Sequence, residues 1–352
     1  MKNLVKRIFN SEWNNNYNLI NAKTDIEAIN TWLNEYNGYT RLNYRNIVQR
    51  FYALLKVKKN KSFQELKLED IQAYKLFLVN PDADWCGNAV PRDNPKWKPF
   101  IKGLNPTSIE IHFRALRSMF SYLFHSGYLQ YNFAILIKYK AKQHHVQNKY
   151  LSMEEYKLVY SKVIQLFGDN SIRYTFLLDL MFYTGLRRSE IANARQSDIF
   201  VKRGQWWIKV IGKGNKYGEV PIPPILINEL QKYRQYWGLN TLPNYKESDI
   251  PLIIKSNTIN YNFYSDTGIH AVIKRIARLV INDLPYLSEK LCLISSHWMR
   301  HSYATALCDS GIELQIVKEN MRHSNIETTM RYIHINNDIR HRETSKFGSL
   351  CA

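Results

Sequence analysis

Residues 138–149, KYKAKQHHVQNK, are polar, basic and free of any core-forming pattern, while amphipathic patterns run on both sides of them. A chain interrupted in this way does not close one core across the break. It is predicted to form two units, residues 1–145 with the break as linker and residues 150–352, and a length of 352 residues suits two domains. Hydrophobic residues make up 45% of the chain, enough for two cores. No apolar run approaches the roughly 20 residues that a membrane span needs, so no membrane partner is expected.

The first unit reads as helical. KTDIEAINTWLNEYNG begins with a capping box from Thr24 to Glu27 and places Ile26, Ile29, Leu33 and Tyr36 on one face before Gly38. In the next segment Tyr44, Ile47, Val48, Phe51, Leu54 and Leu55 form an apolar stripe, and the cations Arg41, Arg45, Arg50, Lys56, Lys58 and Lys59 lie mostly off it. A third helix is predicted over 68–78, ending before Pro81. A fourth follows Pro106, capped by Thr107 or Ser108, with Ile109, Leu116, Met119, Phe120 and Leu123 inward and a stop at Gly127. Between them, residues 80–105 form an irregular Pro-, Gly- and Trp-bearing loop, long enough to fold over something.

The second unit opens with another capping box, Ser152 to Glu155, and then a buried apolar helix, RYTFLLDLMFYTGL. QWWIKVIG and YGEVPIP read as two strands around the turn KGNK. Further helices are predicted near 224–237, 267–281, 297–310, 312–320 and 325–334. The fold class is therefore mainly α with a small antiparallel β-sheet.

Charge narrows the partners. Lys and Arg number 49 against 30 Asp and Glu, a formal charge of +19. Residues 1–145 hold 22 basic and 11 acidic residues, so the excess is not confined to one half. Such a balance points to a polyanion along the whole length, DNA, RNA or an anionic surface. The segment MKNLVKRIFNSEW lacks the long apolar stretch and cleavage site of a secretory signal, which suggests a cytoplasmic protein. Cys86, Cys292, Cys308 and Cys351 form no CxxC pair and fit no zinc ribbon or finger, so no metal ligand set is expected from them.

Four short motifs follow in order: TGLRRSE (184–190), GKGNK (212–216), HWMRH (297–301) and RHSNIETTMRYIH (322–334). Each is weak alone; Arg187 could simply pair with Glu190, and a late Tyr332 could be packing. Together they supply what phosphodiester cleavage without a metal needs. Tyr332 offers a phenol nucleophile. Arg187 and Arg300 are permanently charged, planar groups suited to clamp the non-bridging oxygens of a phosphorane-like transition state. Lys213 at a hairpin tip could protonate a leaving 5′-oxygen, and His297 and His323 could accept or donate a proton near neutrality. His297 sits one helical turn before Arg300, on the same face. His323 precedes the last predicted helix, whose capping box would run from Ser324 to Glu327 with Tyr332 two turns on.

At this point the chain resembles the tyrosine recombinases, the phage integrase family. TGLRRSEIANARQSDI is similar to the family's first arginine box, VIGKGNK to its hairpin lysine motif, HWMRHSYATAL to its His-x-x-Arg helix, and RHSNIETTMRYIH to its second histidine and tyrosine. The resemblance covers about residues 150–340, and the helical first half is similar to the family's core-binding domain. It implies Arg187, Lys213, His297, Arg300, His323 and Tyr332 as the catalytic set. The fold it implies is a helical core-binding domain plus an α+β catalytic domain, the two forming a clamp around DNA. The implied reaction proceeds through a 3′-phosphotyrosine, with no cofactor, metal or ATP. Implied partners are a double-stranded DNA recombination site and further protomers or a related recombinase: a dimer on a site, a tetramer in the synapse. The implied setting is cytoplasmic and nucleoid-associated, serving integration, excision or resolution. Candidate DNA contacts are Arg41, Arg45, Arg50, Lys56, Arg114, Arg117, Lys216, Lys274, Arg275 and Arg278, expected to touch backbone more often than bases. Residues 1–22 leave no room for an extra arm-binding module, and the tail after Tyr332 is a candidate for docking on a neighbour.

One departure stands out: Met321, Arg322, His323 replace the family's usual Leu-Gly-His, putting a bulky side chain where glycine gives backbone freedom. Three rivals remain at this level. A zinc hydrolase would use His297 and His301, but Trp298 stands where H-E-x-x-H has glutamate. A non-catalytic DNA-binding protein would keep the basic surface alone. A type IB topoisomerase would share the chemistry without strand exchange.

Overall fold

The computed structural model describes residues 18–137, 139, 150–212, 216–256, 261–330 and 332. Most of the expected linker, the catalytic-lysine candidate Lys213 and the tail after Tyr332 lie outside the described residues. The chain divides into two compact units, Met1–His145 and Val146–Ala352.

The first unit is built on four helices: α1 (Asp25–Asn34), α2 (Gly38–Leu54), α3 (Leu68–Val79) and α4 (Pro106–His125). Thr24 caps α1, accepting from the Glu27 amide at 3.2 Å, while the Glu27 carboxylate takes the Lys23 amide at 2.7 Å. The buried face of α1 is Ala28, Ile29, Trp32 and Leu33, whereas Ile26 is 54% exposed. The expected face was rotated because Trp32 has the most apolar area to hide, and its ring stacks on Tyr44 of α2 at 5.4 Å. On α2 the expected stripe is buried from Ile47 to Leu54, and Leu55 just beyond the helix is buried with it. Asn105, not Thr107 or Ser108, caps α4, its side chain accepting from the Ser108 amide at 2.8 Å with Pro106 as first helical residue. Phe51 meets Tyr74 at 4.9 Å and Phe120 at 5.8 Å, edge to face, joining α2, α3 and α4; such contacts contribute about 0.5–1.5 kcal/mol each beyond their buried area. Residues 80–105 fold back on this core. Phe100 and Trp85 pack on Phe77, and Gly103 passes so close to the end of α3 that a Cβ there would meet the Val79 carbonyl oxygen.

The second unit runs α5 (Met153–Phe167), α6 (Ser171–Thr184), α7 (Arg188–Asn193), β1 (Ile199–Lys202), β2 (Gln205–Ile211), β3 (Tyr217–Pro221), α8 (Pro224–Tyr236), β4 (Ile254–Ser256), β5 (Asn262–Phe263), α9 (Asp266–Val280), α10 (Ser288–Leu293), α11 (Ser296–Asp309), α12 (Leu314–Met321) and α13 (Ile326–Met330). The capping box of α5 forms as expected, Ser152 with Glu155. The sheet β1-β2-β3 is antiparallel throughout, with Ile208 opposite both Ile199 and Val220. Strand β1 was not expected. It turns into β2 through Arg203 and Gly204, both with positive φ, the two-residue loop that matches strand twist. Helix α6 lies at the centre, burying Phe176, Leu177, Leu178, Leu180, Met181 and Phe182 against α5, α8 and α11. Among the described residues, no helix is long and apolar enough to cross a membrane. The fold is thus mainly α with a small antiparallel sheet.

Candidate active site

The site belongs to the second unit and begins where α6 stops. Gly185 follows Thr184 in the left-handed region, φ +58°, and its amide bonds to the Met181 carbonyl at 3.0 Å. The chain turns there, and Arg187 becomes the N-cap of α7. Its amide donates to Glu190 Oε2 at 2.7 Å and its guanidinium to Glu190 Oε1 at 2.8 Å. The Glu190 side chain is 1% exposed, so both the pairing anticipated as a bland alternative and the placement of Arg187 come from one buried carboxylate. The hairpin β2–β3 arrives beside it. Gly212 donates to the Lys216 carbonyl at 2.7 Å, and a Cβ on Gly212 would lie 3.6 Å from Glu190 Oε1. Lys213 is the next residue and lies outside the described residues.

Helix α11 brings His297, Arg300 and His301. Arg300 is 2% exposed and donates to the Gly185 carbonyl at 2.5 Å and to the Met321 carbonyl, joining the ends of α6 and α12. Burial, then the charges of Arg187 and Arg322, pull its pKa down to about 9, so it stays cationic at neutral pH. His297 is held below its usual value by desolvation, Arg300 and Arg187. Its ring meets that of His301 at 4.5 Å.

Tyr332 closes the site. Its ring lies 5.1 Å from His301 and 6.1 Å from His323, nearly parallel to the latter at 17°. Tyr332 is 6% exposed and packs in a small cluster with Tyr303, Ala304, Val317 and Met321. It was expected on the last helix. Instead α13 ends at Met330 in the described chain, and Tyr332 sits in a turn, its amide on the Thr329 carbonyl at 3.0 Å. Asn325 rather than Ser324 caps α13, accepting from the Glu327 amide at 3.1 Å. His323 Nδ1 is 2.9 Å from the hydroxyl of fully buried Thr329, which fixes the ring. Burial, then Arg300, Arg187, Arg322 and His297, push His323 down to about 4, leaving the imidazole neutral at pH 7.

The structure therefore brings Arg187, His297, Arg300, His323 and Tyr332 into one place. It adds Glu190, His301 and Arg322, which sequence reading did not put in the site. The i+3 spacing of Glu190 from Arg187 and the i+4 spacing of His301 from His297 were the available signals. Among the described residues, no group of three or more His, Cys, Asp or Glu could hold a metal ion.

The candidate DNA contacts divide. Arg45, Arg275 and Arg278 are exposed, as is Lys216 at the hairpin base. Arg41 is exposed and donates to Asn34 at 2.9 Å; Arg114 is exposed beside Glu110 at 3.6 Å. Four are engaged by other groups of the chain. Arg50 covers the Phe100 ring and lies 3.5 Å from buried His112, Lys56 sits 3.9 Å from buried Asp25, Arg117 donates to the Ile137 carbonyl, and Lys274 to the Cys292 carbonyl.

Two arginines, two histidines and a tyrosine thus meet in the helical second unit, beside its small sheet. Residues 149–338 match the model of the phage integrase family, and the chain belongs to that family, the tyrosine recombinases of site-specific recombination. The chain is 30% identical over 275 residues to the tyrosine recombinase XerC of Pediococcus pentosaceus, covering 76% of this chain and 85% of that protein. It is 26% identical over 297 residues to XerC of Staphylococcus saprophyticus, covering 83% and 93%. Among solved structures, it is similar to the Tn1549 transposon integrase in complex with circular intermediate DNA, with TM-score 0.60 and 18% identity over 92% of this chain and 99% of that one. A lambda integrase dimer bound to a COC′ core site gives TM-score 0.57 and 14% identity over 94% and 81%. At such identities these structures establish the fold.

Proposed function

We propose that this protein is a site-specific DNA recombinase that cleaves and rejoins DNA through a 3′-phosphotyrosine, without metal or ATP. One observation carries the reading above all: a buried tyrosine shares its site with Arg187 and buried Arg300, two fixed cations, and with two imidazoles held below their usual pKa. In the proposed step, the Tyr332 phenol oxygen attacks phosphorus and its proton passes to His297. Arg187 and Arg300 hold the non-bridging oxygens as negative charge gathers there. His323, neutral at pH 7, donates a hydrogen bond to the same phosphate. The bond from phosphorus to the 5′-oxygen breaks, and Lys213 gives that oxygen its proton. A 5′-hydroxyl from a partner duplex then attacks the phosphotyrosine and releases Tyr332. The covalent link preserves the phosphodiester's energy, so no external source is needed.

The second unit is the proposed catalytic domain and the first the proposed core-binding domain. Arg45, Arg275, Arg278 and Lys216 are the favoured phosphate contacts because they are exposed, whereas Arg41 and Arg114, also exposed, are already bonded to Asn34 and Glu110. A dimer on each site, a tetramer in the synapse, and a nucleoid-associated setting complete the proposal; integration, excision and resolution all use this chemistry.

The test is adduct formation in EDTA with pooled DNA fragments from around the protein's own gene. Wild type is expected to give SDS-resistant protein–DNA adducts, and Tyr332→Phe none. Adducts persisting in Tyr332→Phe would mean a different nucleophile. DNA binding without adducts from wild type would favour a binding protein. Strand exchange between two sites, rather than relaxation alone, separates a recombinase from a topoisomerase.

A further inference from the structure

Arg322 stands where its residue type needs a reason. It ends α12 with φ +51° and ψ +46°, in the left-handed region that glycine adopts without a Cβ penalty. Its amide bonds to the Glu319 carbonyl at 2.9 Å, and the following His323 amide to the Lys318 carbonyl at 3.0 Å. The side chain, 16% exposed, crosses to α7 and donates to Glu190 Oε2 at 2.5 Å. Its stem runs over β3 at Gly218, where a Cβ would come within 2.6 Å of Arg322 Cδ. Two unfavourable local choices, an arginine at a glycine-like turn and a glycine inside a strand, thus fit each other. The second guanidinium nitrogen, Nη1, is buried with no hydrogen-bond partner among the described residues.

Glu190 is divided as a result. Oε1 takes the Arg187 guanidinium, while Oε2 takes the Arg187 amide and Arg322. Without Arg322, the carboxylate would belong to Arg187 alone and neutralise it. With Arg322, one carboxylate is shared by two guanidiniums, and the cluster keeps net positive charge for an anion.

We propose that Arg322 is a positioning residue of the strand-cleavage site: through Glu190 it ties the turn carrying His323 to the turn carrying Arg187, and leaves Arg187 free to hold phosphate. Gly218 is the space that lets it do so. The inference rests on the recombinase reading for its catalytic consequence, but the tie itself does not. His323 faces Arg300 and His297 on α11, Arg187 at the head of α7, Arg322 beside it, the Thr329 hydroxyl and the Tyr332 ring. Arg322 is one of the cations holding its imidazole neutral.

Two readouts on the full chain test this. The first follows the His323 imidazole by NMR titration without DNA, assigned with His323→Gln. The second is the rate of covalent adduct formation on the DNA fragment that wild type cleaves. Arg322→Gly suits the backbone and should fold. It is expected to raise the His323 pKa and to slow adduct formation by about 100-fold, the scale of a misplaced catalytic group. Arg322→Lys should keep the low His323 pKa but recover only part of the rate, since it lacks the guanidinium fork. Gly218→Ala should push the Arg322 stem aside and reproduce the direction of both effects. In the Arg322→Gly background it should add nothing, because the space is then empty. An unchanged His323 titration in Arg322→Gly overturns the proposal, as does a Gly218→Ala cost of equal size in both backgrounds. A wild type that forms no adduct counts against the recombinase reading, and the titration still decides the tie.

Discussion

Glu190 decides more of the site than any residue that would touch DNA. Burial alone would raise its carboxyl, but Arg322 and the two bonds from Arg187 outweigh that and leave it below the usual value. A group with a depressed folded pKa contributes stability that is present above its unfolded value, near 4.5, and is lost as pH falls through the folded one. Glu190→Gln keeps the shape but leaves Arg187 and Arg322 facing each other without a counter-charge. It is expected to cost about 1–3 kcal/mol at pH 7, and progressively less as the pH falls through the lowered folded pKa of Glu190. Urea unfolding of wild type and variant from pH 7 into the acid range measures this; a variant as stable as wild type at pH 7 would mean that the carboxylate's charge does not hold the two guanidiniums. The sequence showed the i+3 pair with Arg187, because a local spacing is legible. It did not show Arg322, whose partner lies 132 positions away. That residue was visible only as a departure from an expected glycine.

At the scale of elements, legibility followed local chemistry. An apolar stripe, a capping box and a glycine stop placed α2, α5 and α4 respectively, because each signal acts within a few turns. Three features failed for the opposite reason. The α1 face was misphased because Trp32 chooses its side by what Tyr44 offers across the bundle. Strand β1 was missed because its turn uses Arg203 and Gly204 rather than an Asn-Gly signal. The end of α13 was overrun because its pattern continues past Met330 although the described helix does not. Gly185 shows a stop signal with a second duty. It ends α6, its carbonyl accepts from Arg300, and a Cβ there would lie 2.3 Å from the Tyr303 ring. Gly185→Ala therefore meets both a positive φ and a buried aromatic ring. It is expected to destabilise the second unit by about 2–4 kcal/mol and to weaken adduct formation through Arg300. Thermal unfolding and the adduct assay check the two halves of that expectation separately.

At the scale of the whole molecule, the +19 charge suggested polyanion binding, and the fold separates cations that are available from cations already engaged. Charge counts are legible in a sequence; what each charge faces is not. Arg50 was a candidate DNA contact from its place off the α2 stripe, yet it covers Phe100 and adjoins His112 between helices of the first unit. Burial lowers its pKa, as expected of a cation held among apolar neighbours. Arg275 and Arg278, exposed on α9, have no such duty in the structure's core. The two kinds of arginine should respond differently to removal. Each exposed arginine that neutralises a phosphate adds about 0.9 to the slope of log affinity against log salt concentration. Arg275→Ala and Arg278→Ala are expected each to lower that slope by about that amount, with unfolding unchanged. Arg50→Ala should leave the slope nearly intact and instead destabilise the first unit, by about 1–3 kcal/mol, through lost packing on Phe100. Filter binding of duplex DNA across a salt series, beside urea unfolding of each variant, gives both numbers. A slope that falls with Arg50→Ala and not with the α9 variants would place the DNA-facing charge on the first unit's helices and remove α9 from the contact surface.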